Sequence, residues 1–148
     1  MFCDGSLYSN SFGAYGVLLM FGNKSKEIES KGYKETTISR MEMKAIIHAL
    51  EELSPGFSIY LYSDAKGVVD IINMKLSEWI EFGTFDERVN VGLWRRFLRA
   101  KRKHIEGGSV INFCWIRGHS GSKFNERVDK IAKKGLKIKH KVKCKDFN

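Results

Sequence analysis

The order in which strand-like and helix-like segments follow one another constrains the fold of this chain more than any other feature. Ala14–Phe21 is a nearly continuous apolar run with aromatic and β-branched residues, which indicates a strand, and Lys26–Tyr33 is predicted to return beside it through the Gly22-Asn23 turn. Two further compact strands are predicted at Phe57–Tyr62 and Val110–Ile116. Apolar spacing, caps and stops predict four helices, at about residues 40–53, 65–74, 87–103 and 122–134. With a first strand at Asp4, the order β-β-β-α-β-α-α-β-α predicts an α/β domain, a five-stranded mixed sheet flanked by helices.

The strand predicted to carry Asp4 is unusually short, because only Met1, Phe2 and Cys3 precede the acid. Either the sequence begins late relative to this strand, or the strand continues beyond Asp4 and pairs mainly there. The residues leave both explanations open.

Length and composition favour one globular domain. The chain has 148 residues, 43% hydrophobic and 29% charged, which is enough to bury a core. No apolar run approaches the roughly 18 residues of a membrane helix, and the start lacks the pattern of a signal peptide. Cys3, Cys114 and Cys144 are odd in number and widely separated, which argues against a disulfide framework or a structural zinc site. We therefore expect a cytoplasmic, monomeric protein without membrane contact.

The net charge of +9 is concentrated in two places. Residues 133–148 hold seven lysines against one acid, and a second basic block lies between Arg95 and Lys103. Such charge is compatible with a nucleic-acid partner, although a basic block is more often the solvated face of a helix.

Four acidic residues, far apart in the chain, lie beside apolar segments. Asp4 precedes Gly5-Ser6, where exposed backbone can approach a ligand closely, and Asp64 ends its strand. Because ligands of open α/β sheets bind outside the carboxyl ends of strands, adjacent strands would place both aspartates at one rim. Glu42 lies at the edge of the apolar stripe of its helix, and Asp129 lies on an inward-leaning face of the last helix. Taken singly, such acids are more often turn formers or helix caps.

Taken together, the four carboxylates would repel one another and raise one another's pKa values. Hard divalent cations remove that penalty, since they prefer carboxylate and water oxygens as ligands. The sequence contains no Cys/His cluster that would favour a transition metal instead.

Six short motifs follow one another along the chain, four of which contain these acids. They are Cys3-Asp4-Gly5-Ser6, Tyr15-Gly16, Ser39-Arg40-Met41-Glu42-Met43-Lys44-Ala45, Ser63-Asp64, Trp115-Ile116-Arg117-Gly118-His119-Ser120-Gly121 and Asn125-Glu126-Arg127-Val128-Asp129-Lys130-Ile131-Ala132. In this combination the chain resembles type 1 ribonuclease H over roughly residues 1–135.

The resemblance implies a ribonuclease H-like fold and endonucleolytic cleavage of the RNA strand of RNA–DNA hybrids, leaving 5′-phosphate and 3′-hydroxyl ends. It implies two Mg2+ ions, with Mn2+ as a possible substitute, held by Asp4, Glu42, Asp64 and Asp129, and Asp4 as the central ligand. One ion would activate the attacking water and the other would stabilise the leaving oxygen. His119 would handle protons or assist product release. The implied substrate-binding residues are Gly5, Ser6, Asn10, Thr37, Ser39 and Trp79.

The sequence departs from the family in the region that would hold the hybrid. Ile38-Ser39 replaces a pair of amide side chains, so contacts to the minor groove should be weaker or rearranged. Met74–Val89, which matches the family's basic protrusion, keeps Trp79 but carries two basic against four acidic side chains. The block near Arg95 and the tail could compensate for this loss.

We expect a catalytic domain at residues 1–135 and a basic C-terminal tail at 136–148. Deleting the tail should weaken hybrid binding and flatten its salt dependence, unless the tail is a disordered solubilising end or a lysine-rich edge strand. Two other functions stay open at this point. One is a hybrid-binding module with weak or lost catalysis on the same fold, and the other is a different two-metal nuclease, such as a transposase-like enzyme.

Overall fold

The computed structural model describes residues 1–9, 11–118, 121–138, 141–145 and 147–148. Its strands form one mixed sheet. The strands are β1 (Phe2–Tyr8), β2 (Phe12–Phe21), β3 (Lys24–Glu29), β4 (Tyr33–Lys34), β5 (Ser58–Ser63), β6 (Val110–Trp115) and β7 (Val142–Lys143). The helices are α1 (Ile38–Glu52), α2 (Lys66–Asp70), α3 (Leu76–Glu81), α4 (Val91–Glu106) and α5 (Lys123–Lys134).

The sheet has the order β6-β5-β1-β2-β4-β7, with β3 also paired to β2. β1 is antiparallel to β2 and parallel to β5, which is in turn parallel to β6. All five predicted strands are present, and the α/β fold with a mixed sheet is confirmed. The two additional strands, β4 and β7, have two residues each, which is too short to leave a periodic signal in the sequence.

The first strand does continue beyond Asp4. Its pairing with β2 runs from Phe2 opposite Leu18 to Tyr8 opposite Phe12, so most of its ladder follows the acid.

Three predicted boundaries moved. β3 ends at Glu29 because the Ser30 hydroxyl accepts a hydrogen bond from the Tyr15 amide, replacing a ladder bond. The helix predicted to end at residue 74 continues as α3, through a π-helical turn at Ile71–Lys75. The next helix begins at Val91, since Asn90 has a left-handed φ of 60°.

The sheet is packed on both faces. α1 and α4 cover one face, where Met41, Ile46 and Phe97 belong to the main core. α5 covers the other face, where Val128 and Ile131 pack on Leu18 of β2. Among the residues that the structure describes, no helix is long and apolar enough to cross a membrane.

Candidate active site

The register of β1 and β5 places Asp4 beside Asp64. Cys3 pairs with Ser63, and each aspartate is the next residue along its parallel strand. β5 ends there, while β1 continues. The chain after β5 is held by the Asp64 carbonyl oxygen, which accepts hydrogen bonds from the Lys66 amide at 2.9 Å and from Trp115 Nε1 at 3.3 Å. The two aspartates therefore lie at the same rim of the sheet.

Glu42 reaches this rim because α1 packs closely on β1 at Gly5. A Cβ atom on Gly5 would lie 2.7 Å from the Glu42 amide nitrogen and 2.9 Å from the Met41 carbonyl carbon. Only glycine permits that approach of helix and strand backbones. Because Gly5 directly follows Asp4 in β1, the same contact holds Glu42 near Asp4.

Asp129 reaches the rim through a second glycine, on the opposite face. Gly16 lies directly across β1–β2 from Asp4, and a Cβ atom there would lie 2.7 Å from the Ala132 amide nitrogen of α5. The close packing of α5 at this point brings Asp129, one turn earlier, to Asp4. Two glycines thus bring helices against the acid-bearing strand from both sides.

The carboxylates interact strongly with one another. Asp4 is 6% exposed and lies beside the carboxylates of Asp64 and Asp129. Burial, followed by the charges of these two neighbours, raises the pKa of Asp4 from 3.8 to about 8. Burial and the Asp64 charge raise the pKa of Glu42 from 4.5 to about 7. A cation bound beside these carboxylates would lower both pKa values again.

Lys133 supplies one positive group at the edge of this cluster. Its Nζ donates to Asp129 Oδ2 at 2.8 Å, and that hydrogen bond, with the charges of Asp129 and Asp4, raises the pKa of Lys133. Within the described ranges, no group of three or more His, Cys, Asp and Glu side chains has the spacing of a preformed metal site. Lys133 was missed in the sequence, although its position four residues after Asp129 on a helix is a recognisable signal.

A groove of about 590 Å³ extends from Glu42 and Asp64. Ser39 lies on one side and Trp79 on another, so the structure brings these two predicted substrate contacts to the same cavity as two of the carboxylates. Trp79 packs edge-on against Trp94, and the Arg88 guanidinium lies 4.5 Å from the centre of the Trp79 ring. The sequence did not predict a role for Arg88 in the groove, because stacking of a guanidinium on an aromatic ring leaves no local pattern in the sequence.

The other predicted contacts differ in accessibility. Thr37 is exposed and caps α1, its hydroxyl accepting from the Arg40 amide. Gly5 is half-buried and Ser6 is buried within β1. Asn10 and His119 lie outside the described residues. Gly118, the residue before His119, lies beside the Asp64 side chain.

Solved structures with this fold include several ribonucleases H. The structure matches LC9-RNase H1, described as a type 1 RNase H with the type 2 active-site motif, with a TM-score of 0.72 and 22% identity, over 91% of this chain and 70% of the other. It matches LC11-RNase H1 in complex with an RNA/DNA hybrid with a TM-score of 0.67 and 18% identity, over 91% and 94% of the two chains. The molecule therefore has the ribonuclease H fold.

Sequence comparison narrows the fold to a family. Residues 1–137 match the family described as RNase H. Ribonuclease H of Helicobacter pylori strain HPAG1 is 40% identical over 134 residues, covering 90% of this chain and 89% of the relative. Ribonuclease HI of H. pylori strain 26695 is 39% identical over 144 residues, covering 97% and 94%. The chain belongs to the ribonuclease H family, as a type 1 enzyme.

Proposed function

We propose that this protein hydrolyses the RNA strand of RNA–DNA hybrids at the cluster of Asp4, Glu42, Asp64 and Asp129. The observation that carries the proposal is the convergence of these side chains, from β1, α1, α5 and the residue after β5, on one rim of the sheet. The groove beside them and the family membership support the same conclusion.

The chemistry of the donor set suits two divalent cations, while the spacing of its side chains in the described residues is not that of a preformed metal site. It consists of carboxylate oxygens, which Mg2+ and Mn2+ prefer, and burial together with the charges of Asp64 and Asp129 raises the pKa of Asp4 to about 8. When bound, the cations supply activation of the attacking water and stabilisation of the leaving 3′ oxygen. Asp4 is buried, and Asp4, Glu42, Asp64 and Asp129 would together hold the two cations, with Asp4 as the central ligand.

The chain's remaining groups hold and release the substrate. Trp79 and Ser39 in the groove, with exposed Thr37 and with Asn10, contact the hybrid backbone, and Gly5 and Ser6 approach it near Asp4. His119 follows Gly118 at Asp64 and accepts or relays a proton during cleavage or product release. Recognition rests on shape, with 2′-hydroxyl groups read on the RNA strand.

The decisive experiment compares three labelled substrates: RNA–DNA hybrid, RNA duplex and DNA duplex, each with Mg2+, Mn2+ or EDTA. We expect metal-dependent cutting of the hybrid's RNA strand alone, with 5′-phosphate ends. Asp64→Asn should reduce kcat by at least roughly a thousandfold while hybrid affinity in EDTA changes little. Asp70→Asn, at the half-buried partner of Lys66, is the matched control and should keep full activity.

Each alternative predicts a different result. Binding without cutting would indicate a hybrid-binding module, and cutting of DNA duplex would indicate a different two-metal nuclease. Cleavage that persists in Asp64→Asn would refute the assigned cluster.

We further propose a catalytic domain at residues 1–135 with a basic tail at 136–148, a monomeric state and a cytoplasmic location. The match to the family ends at residue 137, close to this boundary. All three cysteines are free thiols, which is typical of a reducing compartment.

A further inference from the structure

The C-terminal residues lie against the body of the protein rather than apart from it. We name Val142, Lys143, Cys144 and Phe147 the C-terminal strap. β7 pairs in parallel with β4, the Cys144 amide donates to the Lys34 carbonyl at 3.0 Å, and the Cys144 side chain is only 2% exposed within the main core. The strap is therefore anchored by backbone pairing and by apolar burial, and Lys143 adds an exposed ion pair with Glu35 at 2.9 Å.

Beyond this anchor, Phe147 contacts the beginnings of two helices. The Arg40 guanidinium in α1 lies 3.5 Å from the centre of the Phe147 ring, a cation–π contact. The Phe147 carbonyl oxygen accepts a hydrogen bond from the Gly92 amide of α4 at 3.1 Å. One residue thus touches both α1 and α4.

The contact to Gly92 replaces a missing helix cap. The first amides of a helix have no partner within it and are usually capped by the residue before the helix. Asn90 occupies that position, but its side chain makes no cap and instead accepts a hydrogen bond from Arg40 Nε at 2.9 Å. Phe147 therefore caps α4 with its carbonyl and holds, with its ring, the arginine that engages Asn90.

This arrangement borders the groove beside the candidate active site. Asn90 and Ser39 line the groove together with Glu42, and Arg40 lies between Ser39 and Glu42 in the sequence. Asn90 is 7% exposed and left-handed, so its backbone depends on the contacts that hold it. A change at Phe147 would reach the groove wall through Arg40 and Asn90.

We propose that Phe147 is a positioning residue for hybrid binding: it fixes the starts of α1 and α4, and thereby the wall of the groove formed by Ser39 and Asn90. The inference rests on the proposed function of the groove. It differs from an electrostatic role of the tail, because the two Phe147 contacts that reach α1 and α4 involve its ring and its carbonyl rather than a lysine. The strap also lies beyond the residues matched to the family.

The test is steady-state cleavage of a hybrid by Phe147→Ala, Phe147→Leu and Phe147→Tyr, with Kd measured in EDTA. We expect Phe147→Ala to raise KM and Kd roughly 5- to 10-fold with kcat within twofold, as loss of one cation–π contact and of ring packing implies. Phe147→Tyr keeps the face of the ring and should retain the wild-type KM. Phe147→Leu keeps apolar volume without the ring face and should remain impaired.

The salt dependence separates positioning from phosphate neutralisation. The slope of log Kd against log salt should be the same in Phe147→Ala and the wild type, because no charge is lost. Asn148→Ala, at the exposed and uncharged residue next to Phe147, is the control and should leave KM within twofold. An unchanged KM in Phe147→Ala, or a KM in Asn148→Ala as high as in Phe147→Ala, would overturn the proposal. So would full restoration by Phe147→Leu. Because wild-type cleavage is measured alongside, these failures are distinct from failure of the proposed function.

Discussion

Replacing Asp4 with asparagine should stabilise the metal-free protein, and the gain should grow with pH. Asp4 is buried next to Asp64 and Asp129, and its pKa rises from 3.8 to about 8. The folded state therefore holds a proton that the unfolded state releases. This group causes no loss of stability below pH 3.8, and stability falls as the pH rises from there to about 8.

The size of the effect follows from the shift. Each unit of pKa difference corresponds to about 1.4 kcal/mol, so the free energy of unfolding should fall by up to about 1.4 kcal/mol per pH unit between pH 4 and 8. At pH 6 the accumulated penalty is about 3 kcal/mol. Asparagine is nearly isosteric and carries no charge at any pH, so Asp4→Asn removes this dependence. The raised pKa of Glu42 adds a similar slope between pH 4.5 and 7, which both proteins share.

The assay is urea unfolding of both proteins in EDTA, at half-unit steps from pH 4.5 to 8. We expect the two stability curves to converge at the acid end and to separate toward pH 8. Asp86→Asn, whose side chain is 80% exposed, is the matched control and should stay within about 0.5 kcal/mol of the wild type throughout. Parallel curves for Asp4→Asn and the wild type would refute the electrostatic account of the cluster.

Three further predictions concern the site and its support. Calorimetric titration with Mg2+ or Mn2+ should show tighter binding at pH 7.5 than at pH 5.5, because the pKa values of Asp4 and Glu42 are raised to about 8 and about 7. Titrations in buffers of different ionisation enthalpy should also detect protons released on metal binding. Gly16→Ala should lower the free energy of unfolding in urea by about 1–3 kcal/mol and lower kcat, since its Cβ would press on α5 behind Asp129. Gly67→Ala, which has open space around its Cβ position, should not lower the free energy of unfolding. Ile38→Asn should lower the Kd for the hybrid roughly 2- to 10-fold, because Ile38 is exposed at the start of α1 and an amide there adds a hydrogen-bonding group. An unchanged Kd would show that this position does not contact the hybrid.

The sequence predicted the parts of this structure that depend on local pattern. The apolar run ending at Phe21 and the helical stripe of α1 carry strong period-2 or period-3.6 signals, so their types and approximate bounds were correct. The start of α4 was misplaced because it depends on the left-handed Asn90, which is held by Arg40 from a helix about fifty residues earlier. Long-range hydrogen bonds of this kind have no local signature.

In the candidate site, too, local sequence pattern predicted some positions and long-range packing set the others. The register of two parallel strands explains why Asp4 and Asp64 could be expected at one rim. The positions of Glu42 and Asp129 relative to them depend on how closely two helices approach β1 and β2. That distance is set by Gly5 and Gly16, whose role becomes visible only when the helix backbones are in place.

The four carboxylates come from β1, α1, α5 and the residue directly after β5, so the cluster exists only in the folded chain. A divalent cation that binds it therefore binds the folded state alone and stabilises that state by an amount that grows with metal concentration. Burial and the neighbouring charges that raise the pKa of Asp4 destabilise the metal-free fold, and under the proposed function those charges also provide the attraction for the cation. Stability and function are thus opposed at this residue. Asp4→Asn tests the opposition directly: the same substitution that raises stability in EDTA should abolish the further stabilisation that the wild type gains from Mg2+.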